Sequence, residues 1–243
     1  MKTVTLRLAL CLYLAVFAGA RTSAQEASDV AARQAKKARD QGDIEALQTL
    51  VRDARDEATR RNSFDANLRV AFFDAWLIEA AHDHQNDKVV KQAAQDGIAA
   101  AVRAVQLNTE SSEAHRLVGE LMGELIPHVF AGGMRYGSHS TAEIEKAIQL
   151  DPHNTNAYVA RGCAYFFTPK SFGGDKDKAV DTFKKAIAIA PTSDAAETAH
   201  IWLAKIYQSL GKSENATSEI KEALKLNPDR LFTKLAKGQP AAK

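Results

Sequence analysis

The chain has 243 residues, with 32 Lys and Arg against 30 Asp and Glu for a formal net charge of +2, and 45% of it is apolar. Its two cysteines, Cys11 and Cys163, exclude a disulfide-rich framework. No alternating run of β-branched residues reaches the length of a strand, so an all-α chain is expected.

Residues 1–24 read as a secretory signal peptide. Lys2 and Arg7 form a positive start, Leu8 to Ala20 is apolar but too short for a membrane span, and small residues follow. Cleavage fits after Ala20 or after Ala24. Cys11 has no small residue before it and is a poor site for lipid attachment. The expected product is periplasmic or secreted in a bacterium, with no stable membrane span. Its loss of Lys2, Arg7 and Arg21 leaves a net charge of −1. That balance lacks the basic face with which nucleic-acid binders neutralise phosphate.

Residues 25–237 read as one helical-repeat domain and 238–243 as a disordered tail. Residues 26–41 and 43–61 form a charged helical pair broken at Gly42-Asp43. Ile44, Leu47, Leu50 and Val51 give it a thin apolar stripe, as suits a terminal repeat with one face in water. A more apolar helix, Phe64 to Ala81, and another from about Lys88 to Leu107 follow. Ser111 to Ile126 is the next helix, and then a loop runs from Pro127 to Ser140 through Gly132, Gly133 and Gly137. Ser140-x-x-Glu143 reads as a capping box opening a helix after it, and Asp194-x-x-Glu197 as another further on. A second loop spans Thr168 to Asp177. Pro228 to Lys237 reads as a closing helix whose Leu231, Phe232 and Leu235 cover the end of the stack.

One phrase recurs four times: Ala104-Val-Gln-Leu-Asn-Thr109, Ala147-Ile-Gln-Leu-Asp-Pro152, Ala186-Ile-Ala-Ile-Ala-Pro191 and Ala223-Leu-Lys-Leu-Asn-Pro228. The starts lie 43, 39 and 37 residues apart, a period that marks stacked repeats. Each phrase suits a helix end, with a small Ala for close approach, an apolar pair for the core, and in three copies a Pro that stops the helix. The excess over a period of about 34 residues falls in loops, where added length costs little.

These residues resemble the tetratricopeptide repeat family. Tyr158, Gly162 and Tyr165 match its first-helix positions, and Ala179, Phe183, Ala186 and Pro191 its second-helix positions. Leu203, Ala204 and Tyr207, then Ala216, Ile220, Ala223 and Pro228, match one repeat on; His115 to Pro152 matches more loosely. The resemblance implies a right-handed α-solenoid of antiparallel helix pairs, about five pairs plus a C-terminal capping helix. It also implies that partners dock on the concave face lined by the first helices. By that phasing Asn156, Val159, Cys163, Phe166 and Phe167 face the groove in the central repeat, with Arg116 and Glu120 before them and Ile201, Lys205 and Gln208 after them. Phe166 and Phe167 fit groove exposure or packing against the loop equally well. The family's Lys/Asn/Arg clamp for peptide carboxylates is not reproduced. A narrower likeness joins Pro169-Lys-Ser-Phe172-Gly173-Gly174-Asp175 to a loop of periplasmic proteins similar to the T-component of tripartite (TRAP) transporters.

No phosphate-binding loop, nucleophile elbow or zinc-protease motif occurs, and no cofactor is expected. His82-Asp83-His84 is the tight histidine cluster, but residues two apart on a helix do not share a face, so no metal site is expected there. The leading expectation is an exported, non-enzymatic scaffold that binds a protein or peptide. The alternative is an accessory protein that holds a small apolar ligand beside the Pro/Phe/Gly-Gly loops, near Phe130, Phe166, Phe167 and Phe172.

Overall fold

The structure is a computed structural model that describes residues 23–238; the expected signal peptide, save its last two residues, and residues 239–243 of the tail lie outside the described residues. The described residues form α-helices joined by short turns, with two 3-10 turns and no strand among them. In chain order they are α1 (Ser23–Gln41), α2 (Ile44–Arg61), α3 (Phe64–Asp83), α4 (Asp87–Leu107), α5 (Ser112–Leu125) and α6 (Gly132–Leu150). Then come α7 (Thr155–Phe167), α8 (Lys176–Ile189), α9 (Asp194–Ser209), α10 (Ser213–Leu226) and α11 (Leu231–Gly238). The last takes in Gly238, which the sequence reading placed in the tail.

The chain divides into two units inside α1, between Gln34 and Ala35. The first contributes the charged N-terminal part of that helix, where Val30 is exposed. The second holds the rest. In it α3 packs on α4, α5 on α6, α7 on α8 and α9 on α10, and the first helices α3, α5, α7 and α9 also pack on one another in sequence. The result is a two-layered stack of antiparallel hairpins with α3, α5, α7 and α9 in one layer.

The fourfold phrase is the joint of that stack. Ala104, Ala147, Ala186 and Ala223 are all fully buried. Each accepts the amide of the residue four on, Asn108, Asp151, Ala190 or Asn227, at 2.9, 3.0, 3.4 and 3.0 Å. Asn108, Asp151 and Asn227 are extended, and all four have negative φ, which ends each helix without a left-handed residue. Asn108, Asp151 and Asn227 then turn a side-chain oxygen onto the amide two residues on, fixing the exit. Helix starts are capped as regularly: Asp43, Ser63, Asn86, Ser111, Asn154, Asp175 and Ser193 each accept a first-turn amide.

Two starts differ from the sequence reading. Ser140 opens no helix; α6 already begins at Gly132, and Gly133 and Gly137 lie inside it. The turn is forced just upstream, where Ala131 is left-handed at φ 53 and a Cβ on Gly132 would run into the Ile126 carbonyl oxygen. Ser140 is instead buried against α5 and donates to the Gly119 carbonyl at 2.6 Å. At α9 the cap is Ser193, and Glu197 turns inward, fully buried. In both places packing, not the local pattern, decides what the side chain does.

The described core is rich in small residues. Tyr158, Phe183, Leu203 and Ile206 interlock over Ala179, Ala186 and Ala199. Gly119 and Gly162 let paired helices approach: a Cβ at Gly119 would meet the Ser140 carbonyl oxygen at 2.7 Å, and one at Gly162 the Phe183 ring at 2.6 Å.

The end of the stack returns to its beginning. α11 packs on α9 and α10, as a closing helix should, and also on α3. Lys36 and Arg39 of α1 reach Asp194 of α9 at 2.8 and 3.4 Å. Arg230 pairs with Glu79 of α3, 151 residues away.

Candidate functional site: the inner helix layer

The residues assigned to a docking face lie on α5, α7 and α9, and the structure separates them by burial. Arg116 is 4% exposed and engaged by its own helix: Nη2 donates to Glu113 at 2.7 Å and Nη1 to Glu120, with the guanidinium over the Phe72 ring. Burial works against its charge, but the two carboxylates outweigh it and hold the proton more firmly than usual. Arg116 therefore serves as an internal strut. Ile201 is fully buried beneath Phe232 and Ala223 and presents no surface to a partner. Asn156, Val159 and Gln208 are half-buried, with Val159 packed on the core.

Phe166 and Phe167 divide between the two readings. Phe166 packs on the Phe183–Leu203 core, whereas Phe167 is 64% exposed. The rings meet edge to face at 5.0 Å, and both reach Trp202 of α9, at 6.1 and 5.2 Å. Trp202 in turn meets Phe232 of α11 at 5.9 Å. A continuous aromatic strip thus crosses α7, α9 and α11. Lys205 caps it, its ammonium 4.7 Å from the Trp202 ring and 3.9 Å from that of Phe232.

Acidic groups flank the strip. Burial pushes the Asp83 carboxyl up to about 6, with nearby Glu79 adding to the effect and Lys205 and Arg230 opposing it. Burial also raises Glu120 against the pull of Arg116. Lys205 is driven down to about 8 by burial, with Asp83 and Glu79 resisting. The Cys163 thiol is pushed well up by burial and by Glu124 and Glu120, which suppresses the reactive thiolate. These groups can hold a cation and an aromatic side by side.

Trp202, Glu79 and Arg230 carry no assignment in the sequence, which places Phe232 only in the closing helix and Glu197 only in a capping box. Trp202 had a signal: it lies three residues before the groove-facing Lys205, on the same side of the helix. The His82-Asp83-His84 cluster diverges, His82 pairing with Glu124 at 2.7 Å and His84 with the Gly42 carbonyl at 3.0 Å. Among the described residues no group of three side chains is placed to hold a metal ion, and no helix is long and apolar enough to cross a membrane.

The Pro/Phe/Gly-Gly loops are closed turns. Gly173 is left-handed at φ 96, and a Cβ on Gly174 would collide with the Thr168 carbonyl oxygen. Their aromatics do not line an enclosure: Phe130 is 96% and Phe172 80% exposed.

The family model described as tetratricopeptide repeat matches residues 155–193 and 197–230, which span α7–α8 and α9–α10. No curated protein matches the chain. Among solved structures, the tetratricopeptide protein TTC0263 of Thermus thermophilus is similar with 17% identity and a TM-score of 0.62, over 85% of this chain and 95% of that one. A MamA structure from Desulfovibrio magneticus RS-1, starting at its residue 41, has 13% identity and a TM-score of 0.44 over 86% and 98%. YrrB, described as a tetratricopeptide protein with an unusual peptide-binding site, has 15% identity and a TM-score of 0.43 over 82% and 93%. The chain is an all-α, tetratricopeptide-like helical-repeat protein. Two of its helix pairs match the tetratricopeptide repeat model, and it shares its fold with the Thermus protein.

Proposed function

We propose that this protein is an exported, non-enzymatic scaffold that docks a protein or peptide segment on its inner helix layer. The observation that carries the reading is the strip of Phe167 and Trp202, with Lys205 above it and the carboxylates of Asp83 and Glu79 beside it. Aromatic anchors with a polar rim are the usual energetic centre of a protein interface. Phe167, at the end of that strip, is 64% exposed, a large apolar side chain left in reach of a partner. Export rests on the composition of residues 1–24, and a periplasmic or secreted location goes with it.

Affinity purification from envelope extract tests the docking reading. A Phe167→Ala/Lys205→Ala variant is expected to lose a partner that wild type retains, with recovery down about tenfold, the effect of removing a single anchor. Equal recovery of every partner contradicts it. N-terminal sequencing of the extracted protein tests export, with a start at residue 21 or 25 expected.

A further inference from the structure

The segment that closes the stack is seated the way a bound peptide would be. Arg230, 1% exposed, donates Nη1 to Glu197 at 2.7 Å and to the Thr198 hydroxyl at 2.9 Å, and Nη2 to Glu79. Phe232 stands edge-on to Trp202 and packs on Ile201 and Ala223, with the Lys205 ammonium 3.9 Å from its ring. The Thr233 hydroxyl donates to the remaining oxygen of Glu197 at 2.9 Å. Every one of these anchors is a side chain of α3, α9 or α10. Guanidinium, ring and hydroxyl are each matched by a receptor group.

Such a seat can be exchanged. α11 has eight residues, fewer than a helix needs to persist without support. Its main anchor is a buried ion pair, whose desolvation cost offsets much of its attraction. Arg230 Nε makes no hydrogen bond in the structure, so the fit of the guanidinium is incomplete. A further carboxylate, Asp83, lies close enough to act on Arg230 and Lys205, which favours a cation in the seat.

We propose that the seat between α3 and α9 recognises a peptide segment carrying an arginine followed two residues later by an aromatic residue, and that Arg230-Leu231-Phe232 is its resident occupant, displaced when a partner segment of the same chemistry binds. This rests on the inner layer being the docking face and names what it docks. The chain's own segment is tethered, so its effective concentration is high and a free peptide competes poorly until the tether's grip is weakened.

The probe is a fluorescein-labelled synthetic peptide with the sequence of residues 227–238, read by anisotropy against the full chain. Phe232→Ala in the protein, which leaves the Arg230 pairs in place, is expected to bind it about tenfold or more tightly than wild type does. Arg230→Ala is expected to act in the same direction. A peptide with its arginine and phenylalanine both replaced by alanine is expected not to bind either. Should Arg230→Ala fail to fold, Phe232→Ala carries the test. In wild type, excess unlabelled peptide is expected to strip hydrogen-exchange protection from the amides of α11. If folded Phe232→Ala binds no more tightly than wild type and α11 keeps its protection, α11 is a fixed cap and the proposal is overturned. Partner loss in the Phe167→Ala/Lys205→Ala purification alongside that result would leave the broader docking reading standing.

Discussion

At Gly119 and Gly162 two helices come so close that a single methyl group has nowhere to go. The obstacle at Gly119 is backbone, the Ser140 carbonyl, and at Gly162 the fully buried Phe183 ring. Alanine at either site is expected to cost about 1–3 kcal/mol by overpacking, a fall in Tm of about 2–4 °C per kcal/mol for a domain of this size. Gly133, where an added methyl would meet nothing within 4 Å, is the internal control: Gly133→Ala should leave Tm unchanged or raised. Thermal denaturation of the three variants decides it. At this scale the repeat's small and large positions were legible, because Gly162 and Phe183 stand where stacked hairpins require them. The fates of Arg116 and Glu197 were not. A charged residue on a helix reads as solvated, and only tertiary packing turned these two inward, Arg116 against its own carboxylates and Glu197 onto Arg230.

Individual elements are held by caps and by contacts across pairs. Ser193 accepts the Ala196 amide at 3.1 Å, so Ser193→Ala should cost about 1 kcal/mol. Asp194→Ala should leave α9 capped, whereas the sequence pattern alone would have made Asp194 the more damaging change. Chemical denaturation of both variants separates the two assignments. The helix ends were legible in the four-times-repeated phrase because each copy carries the same chemistry: a buried alanine carbonyl, an extended residue and an Asx turn in three copies. The start of α6 was not legible. Three glycines and a proline between 127 and 137 look like a loop, yet packing of the helix against α5 overrides the weak helix propensity of Gly133 and Gly137. α11 was legible as a closing helix, but the Arg230–Glu79 pair just before it joins residues 151 apart and leaves no local trace.

The molecule's second unit buries several ionisable groups, which makes its stability depend on pH. Burial raises the Asp83 carboxyl to about 6 and the Asp74 carboxyl to about 7, each from an ordinary value near 4. Between the unfolded and folded values the native state holds a proton that the unfolded chain has released. These groups therefore make stability fall as pH rises from about 4 to 7. Lys205 acts in the opposite sense. Its folded value near 8 lies below the unfolded one, so its penalty is present at neutral pH and relieved as pH rises from about 8 to 10.5. Urea midpoints across pH should show Asp83→Asn flattening the fall between pH 4 and 6, and Lys205→Met removing the rise above 8. Identical profiles for wild type and variants would show that neither group is desolvated in the folded state.

The proposed docking face is the inner helix layer, and not the outer one. Site-specific photo-crosslinking in living cells tests it most directly, with a benzophenone amino acid placed at Phe167 on α7 or at exposed Lys184 on α8. A discrete adduct that Lys205→Ala diminishes is expected from position 167, and none of matching mass from position 184. The same adducts from both positions, or adducts from 184 alone, would contradict it.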